Sequence, residues 1–308
     1  NYFNVYQNSF NRLESIALDT YPTPIEYINQ NSLGQDILDI NTADDFMSLV
    51  SSDIDFEVSN PNEYQSVRNI RERKNRLTQD NLILASNFNL IKDTRKSAFD
   101  NDFSIFRLKL ELAGNLLNAT SELIGFDKND NGELEINNVA FSQYAKSEID
   151  YIKLWNIGRS NVIALRTFVG IAIPIGNSST IPFSKSFFAG GSNDNRAWTA
   201  YNLGPGRSDN NNEFNEANLK LAFSLEHRYK LFGKLNGAFF VDAGNIWNVL
   251  DDVEDPKAIF NSFESLNDIA IGSGIGLRYD FDFFILRFDT GFKTYNPTYQ
   301  KNQRWFKD

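Results

Sequence analysis

Residues 218–231 read NLKLAFSLEHRYKL, and apolar and polar side chains alternate along the whole segment. A period of two is the period of a β-strand, whose successive side chains point to opposite faces of a sheet. Strands of globular proteins usually have ~5–6 residues, whereas a tilted strand that crosses a membrane needs ~9–11. The segment therefore predicts a long strand with one apolar and one charged face, which favours a membrane-spanning strand.

The same alternation recurs in residues 103–116 and 283–295. Short connections between such segments alternate with long ones that are rich in Asn, Asp, Ser and Gly, at 118–140, 177–214 and 248–267. Transmembrane β-barrels have this alternation of short turns and long external loops, and an even number of strands. We predict eight strands, near residues 80–92, 102–117, 141–155, 160–174, 216–231, 234–247, 268–280 and 283–296.

The first 79 residues differ from the rest. Residues 44–52 and 63–77 have helical spacing and many charges, so we predict helices within a long extracellular loop there. One more barrel strand is expected within residues 10–30. The predicted domains are therefore residues 1–79, with barrel strand and helical loop, and residues 80–308, with the remaining strands and an inward-folded loop at 177–214.

Composition excludes several functions. The net charge of −10 argues against a nucleic-acid partner, because binding phosphates needs clustered Lys and Arg. The absence of cysteine excludes disulfides and thiolate metal sites, and the single histidine, His227, makes a zinc site or a Ser-His-Asp triad improbable. Strand parity predicts that His227 faces lipid. The opening residues 1–3 show no basic start or apolar core of a signal peptide.

One loop places an arginine between two predicted strands. Residues 187–198 read FFAGGSNDNRAW, and the next two strands carry Glu226 and Asp242 on their predicted inner face. An arginine can bridge two carboxylates through its planar fork and stays charged. Gly272, Gly274 and Gly276 leave the same face of a later strand bare, which gives the loop room. Arg196 is thus either an inward clamp or a solvated loop residue, with both acids facing water in the second case.

Residues 127–133, DKNDNGE, resemble the start of a calcium loop. The twelfth position of that pattern is Asn138 in place of glutamate, and no helical pattern flanks the segment. A polar hairpin is the better interpretation, so no metal site is predicted.

Several motifs together resemble the C-terminal barrel of the BamA/TamA superfamily, over residues 80–308. They are F-x-G-G-x-x-x-x-R-x-W ending at Trp198, the Glu226 strand, FVDAG at 240–244 and GIGLRY at 274–279. The GGSNDNRAW variant is most similar to TamA/TamL-type members from Bacteroidota. The superfamily pattern usually has (V/I)RGF where this chain has NRAW.

The resemblance implies an all-β fold. This chain would form the C-terminal half of a transmembrane antiparallel barrel of about sixteen strands, with POTRA domains preceding the barrel in the whole protein. It also implies that Arg196 contacts Glu226 and Asp242, within a loop motif that includes Gly190, Gly191 and Trp198. Neither a catalytic residue nor a cofactor is implied.

The implied function is assembly or translocation of proteins at the outer membrane of a Gram-negative bacterium. An incoming strand would pair with an opened seam of the barrel. The implied partners are unfolded outer-membrane or exported proteins, outer-membrane lipid and accessory lipoproteins. A passive pore or receptor barrel is the alternative. An outer-membrane enzyme is a weaker one, because only His227 could act as its base.

Overall fold

The structure, a computed structural model, describes residues 2–97, 100–130, 132–158, 160–208, 215–251, 253, 255–281 and 283–306. The chain divides into two compact units. The first consists of residues 2–79 with residues 253, 255 and 256, and the second contains the rest of the described chain from Asp80 onward.

The first unit is mainly helical, and the helices predicted over 44–52 and 63–77 are confirmed. Pro61 starts the longest helix, at a position where a missing N–H breaks no helical hydrogen bond. The same helix buries Tyr64, Val67 and Ile70, whose spacing of three keeps one stripe in the core. The elements of this unit are α1 (Gln7–Ser15), β1 (Ile28–Gln30), β2 (Asp36–Leu38), α2 (Ala43–Ser51), α3 (Ile54–Ser59) and α4 (Pro61–Thr78).

Residues 10–30, where we expected one more barrel strand, are largely helical. α1 runs to Ser15, and a π-helical turn continues over Ile16–Thr20. Leu13, Ile16 and Ala17 are buried, and this spacing of three and four is helical. Leu13 and Ala17 are four residues apart, and an even spacing also places two residues on one face of a strand. The sequence therefore allowed a strand here, and the expectation of a barrel strand in residues 10–30 is wrong. The short strand β1 pairs only with β2, so the described residues of this unit add no strand to the barrel wall.

The second unit is built on an antiparallel sheet of eight strands. The eight strands predicted from the sequence are confirmed. Its first and last strands do not pair with each other among the described residues, so the sheet is the open wall of a partial barrel. In chain order the strands of this unit are β3 (Ala85–Asp93), β4 (Phe103–Ala113), β5 (Asp127–Lys128), β6 (Leu134–Ile136), β7 (Val139–Ala140), β8 (Tyr144–Gly158), β9 (Asn161–Pro174), β10 (Leu219–Phe232), β11 (Leu235–Trp247), β12 (Ala270–Asp280) and β13 (Ile285–Tyr295). The large sheet has the order β13-β12-β11-β10-β9-β8-β4-β3, and the short strands β5, β6 and β7 form a separate sheet.

The second predicted strand, 102–117, ends earlier than expected. β4 stops at Ala113, and a helix α5 (Asn115–Ile124) follows after Gly114. Gly114 has φ +74, and a Cβ there would lie 2.6 Å from the carbonyl oxygen of Ser142, so the chain turns where only glycine fits. The calcium-like segment that follows contributes β5 to the small sheet β5-β6-β7; its Asn131 lies outside the described residues.

The two faces of the large sheet differ in chemistry. We call inner the face that carries Asp150, Arg166, Glu226, Asp242 and Asp289, which cross-strand register places on one side. The opposite, outer face is apolar and exposed, as contact with lipid hydrocarbon requires. Its exposed side chains include Leu110, Ile149, Val169, Phe223, Leu225, Phe239, Val241, Ile275, Leu277, Leu286 and Phe288.

Connections at the two ends of the sheet differ in length, as the sequence predicts. Two residues separate β8 from β9 and β10 from β11, whereas residues 114–143, 175–218 and 248–269 form long connections at the other end. Among the described residues, no helix combines the length and apolar character needed to cross a membrane.

Candidate functional site

The connection between β9 and β10, residues 175–218, lies with its middle part against the inner face. It brings the side chain of Arg196 to strands β10 and β11, where it contacts Glu226 and Asp242. The guanidinium Nη1 lies 2.5 Å from Glu226 Oε2, and Nε lies 2.8 Å from Asp242 Oδ2. All three side chains are at most 6% exposed. The structure therefore brings together the three residues that the sequence singled out, inside the fold.

Burial alone would favour the neutral form of the Arg196 guanidinium. Hydrogen bonds and charges from Asp242 and then Glu226 outweigh that effect and raise the pKa of Arg196 above its ordinary value. The guanidinium carbon also lies 3.5 Å from the centre of the Phe240 ring, a cation–π contact that covers the group from water. The Arg196 guanidinium therefore remains positively charged. We call the contact of Arg196 with Glu226 and Asp242 the clamp.

Three further inner-face residues join the cluster, and the sequence did not single them out as site residues. Asp289 Oδ2 accepts a long contact of 3.4 Å from Arg196 Nη1. Arg278 donates from Nη2 to Glu226 Oε2 at 2.8 Å, and its Nη1 lies 3.2 Å from Asp289 Oδ1. Ser224 donates to Asp242 Oδ1 at 2.5 Å. Strand parity alone could have placed all of them on the inner face.

Two glycines make room for the loop. A Cβ at Gly272 would lie 2.5 Å from Asn195 Oδ1 and 2.7 Å from the Cβ of Ala197. A Cβ at Gly291 would lie 2.9 Å from the carbonyl oxygen of Arg196. All three distances are too short for real neighbours, so the loop can lie this close only where the strands carry no side chain at these two positions. The methyl group of Ala197, where the related pattern has glycine, packs over bare Gly272.

The loop motif closes on itself. Gly190 and Gly191 have φ +90 and +100, which favour glycine. The main-chain N–H of Gly191 donates to the carbonyl of Trp198 at 2.8 Å, and that of Gly190 donates to Asp194 Oδ2 at 2.8 Å. Trp198 is buried, at 3% exposure, in a cluster with Phe187 and Leu203. These residues shape the turn that presents Arg196.

Arginines of the wall also hold the tip of the loop by its main chain. Arg166 on β9 donates to the carbonyl of Asn193 at 3.0 Å, and Arg287 on β13 donates to that of Ser192 at 2.6 Å. Three strands lie between these two in the sheet, so the tip links distant parts of the wall.

Two lysines also donate hydrogen bonds to main-chain carbonyls, in an earlier part of the loop. Lys220 Nζ donates to the carbonyl of Phe188 at 2.6 Å, and Lys146 Nζ donates to that of Lys185 at 2.7 Å. Lys220 also pairs with Asp194 at 3.0 Å. Because main-chain acceptors carry no sequence signature, these contacts could not have been predicted.

His227 lies on the outer-face side of β10, as parity predicts. Its Nε2 lies 3.2 Å from Asn161 Oδ1, on the neighbouring strand. This contact provides neither a nucleophile nor an orienting carboxylate for general-base catalysis. The described residues hold no group of three or more His, Cys, Asp or Glu side chains arranged for a metal ion.

The wall of long antiparallel strands, with an inner loop anchored by a buried arginine, defines part of a membrane barrel whose inner face is covered in part by its own loop. The chain belongs to the Omp85 superfamily: the model of the Omp85 superfamily domain matches residues 37–307. The resemblance to the BamA/TamA superfamily is thereby confirmed at the level of the superfamily.

BamA from Haemophilus ducreyi lacking POTRA domains 1–3 is 15% identical, with a TM-score of 0.46, over 68% of this chain and 38% of that one. The chain thus spans well under half the length of that protein. No curated protein matches it.

Proposed function

We propose that this chain forms part of the barrel of an outer-membrane factor that inserts or translocates proteins, most similar to the TamA/TamL type. The observation that carries the proposal is the buried contact of Arg196 with Glu226 and Asp242, in a chain of the Omp85 superfamily.

The proposed mechanism is strand pairing at a lateral seam. A β-strand edge in lipid leaves its N–H and C=O groups unpaired, which is costly, so an opened edge strongly favours pairing with an incoming strand. The rest of the wall must keep its curvature while the seam opens. Arg196 supports this role because its contacts reach β10, β11 and β13 together.

No residue of this chain performs covalent chemistry in the proposal. The clamp residues are all held in ion pairs, and His227 lies against the Asn161 amide and the Tyr229 ring. The substrates are unfolded outer-membrane barrels or exported proteins, and the apolar outer face contacts outer-membrane lipid. Accessory lipoproteins would join the whole protein, which lies in the outer membrane of a Gram-negative bacterium.

The experiment is complementation by the full-length protein in cells depleted of it. The amount of folded porin is measured by its heat-modifiable migration on gels. We expect Arg196→Ala to reduce folded porin strongly, and the matched variant Arg207→Ala, at an exposed position of the same connection, to leave it near normal. Near-normal porin with both variants, together with high ion conductance unaffected by Arg196→Ala, would instead support a passive pore.

A further inference from the structure

A second feature of the inner face is a cavity of about 410 Å³ beside the tip of the loop. Its walls come from strands β4, β8, β9, β10 and β13 and from loop residues 192–194 and Arg196. This volume falls within the range of ~300–1,000 Å³ that is usual for small-ligand pockets. Five guanidinium groups line it, those of Arg107, Arg166, Arg196, Arg228 and Arg287.

Positive charge exceeds negative charge around this cavity. Asp150 is shared by two guanidiniums, those of Arg107 and Arg166, each at 2.9 Å. Glu226 forms an ion pair with Arg228, whose Nε lies 2.6 Å from Glu226 Oε1, in addition to its ion pair with Arg196. Counting Arg278 as well, six guanidiniums face only four carboxylates, which are Asp150, Glu226, Asp242 and Asp289. The excess is two positive charges.

The excess charge is accessible from the cavity. Arg107, Arg166, Arg228 and Arg287 have side chains that are 36–42% exposed, in contrast to 6% for Arg196. A guanidinium carries five N–H donors. Arg107 uses Nη1 for Asp150, and Arg228 uses Nε for Glu226, so their other N–H groups can bind a ligand. Asp194, the remaining acid of the lining, is paired with Lys220.

We propose that this cavity binds a small multivalent oxyanion of the phosphate class. Guanidinium groups match phosphate oxygens in geometry and remain charged. A concave site with low-dielectric walls and an excess of one sign of charge concentrates counter-ions of the opposite sign. An oxyanion beside Arg107 and Arg228 would balance the excess charge of the inner face. This inference does not rest on the insertion function proposed above, although Arg196 and Glu226 of the clamp also line the cavity.

The test uses the full-length protein in detergent, titrated with sodium pyrophosphate at constant ionic strength and followed by calorimetry. We expect saturable binding that weakens about tenfold or more in Arg107→Gln and in Arg228→Gln, since each loses charged hydrogen bonds. Arg95→Gln makes the same charge change in the β3–β4 turn, outside the cavity, and should bind like the parent. Heat-modifiable migration identifies variants that have not folded.

A variant that should bind pyrophosphate more tightly separates anion binding from a purely structural role of these ion pairs. Asp150→Asn removes the carboxylate that competes for Arg107 and Arg166, so it should tighten pyrophosphate binding. Loss of a merely structural ion pair would not raise affinity. Absence of saturable binding, an unchanged affinity in both arginine variants, or weaker binding in Asp150→Asn would overturn the proposal. Normal porin assembly alongside such a result would leave the insertion function intact.

Discussion

Arg196 and Asp242 are joined by three hydrogen bonds. The main-chain N–H and Nε of Arg196 donate to Oδ2 at 3.1 and 2.8 Å, and Nη2 donates to Oδ1 at 2.9 Å. One carboxylate thus fixes both the backbone of the loop and the direction of the side chain. A charge on the wall of the sheet therefore determines where the loop lies.

Removing this carboxylate charge should destabilise the second unit strongly. Asp242→Asn leaves a buried cation short of a partner, and breaking a buried pair from one side typically costs about 3–5 kcal/mol. The free energy of unfolding, from urea titration of the full-length protein in detergent, measures the change. Asp102→Asn removes one partner of an exposed pair with Lys153 and should cost no more than ~1 kcal/mol. Equal losses of unfolding free energy in the two variants would show that the contact of Arg196 with Asp242 does not stabilise the fold.

A side chain at Gly272 should displace the loop. The first carbon of Gly272→Val would lie 2.7 Å from the Cβ of Ala197, so the loop must move, at a cost of about 1–3 kcal/mol for overpacking. We expect faster protease cleavage within residues 187–200 and a lower melting temperature. Val241→Ile adds a methyl group on the exposed outer face and is the control. Unchanged cleavage in Gly272→Val would show that the loop does not need the bare strand.

Strand parity explains which of the site residues could be predicted from the sequence. Alternation in residues 218–231 placed Glu226 inside, and the same rule placed Asp242 inside, because register in a sheet with two unlike faces is strongly constrained. The contact between Arg196 and Asp289 joins residues 93 apart in sequence and depends on the curvature of the wall. Pattern analysis of single segments carries no information on such a contact.

Other differences have local causes. Gly114 ends β4 where alternation would let the strand continue, because its positive φ and the nearby Ser142 redirect the chain. Leu13 and Ala17 fit both a helix and a short strand, and burial of Ile16 decides for the helix. Contacts of arginines and lysines with loop carbonyls depend on the backbone path alone.

Loosening the loop tip requires loss of both arginines that hold its carbonyls. Arg166→Gln with Arg287→Gln removes the bonds to Asn193 and Ser192, each worth about 0.5–1.5 kcal/mol. A spin label placed at Ser192 should become more mobile in the double variant and change less in either single one. Arg95→Gln with Lys153→Gln, two changes of cations outside the loop contacts, should leave its spectrum unchanged. An immobile label in the double variant would contradict this role.

In the first unit, the start of α3 should depend on pH. Asp53 accepts a hydrogen bond from the main-chain N–H of Phe56 at 2.9 Å and another from the Tyr21 hydroxyl at 3.0 Å. These bonds, that of Phe56 first, lower the pKa of Asp53 below its ordinary value of 3.8. A carboxyl whose pKa is lower in the folded state than in the unfolded chain stabilises the folded state. The stabilisation is complete when the pH lies above the pKa of that carboxyl in the unfolded chain. That contribution is lost as the pH falls below 3.8 through the folded value.

Hydrogen exchange of the amides of α3, corrected for intrinsic rates, measures this effect. We expect protection at pH 6 that declines at pH 3, and a loss of both the protection and its pH dependence in Asp53→Ala, because the helix then lacks its N-cap. Asp36→Ala, in β2, removes a carboxylate that caps no helix and should retain the pH dependence of α3. If Asp53→Ala keeps the pH dependence, another group must be responsible for it, and the cap assigned to Asp53 does not control the start of the helix.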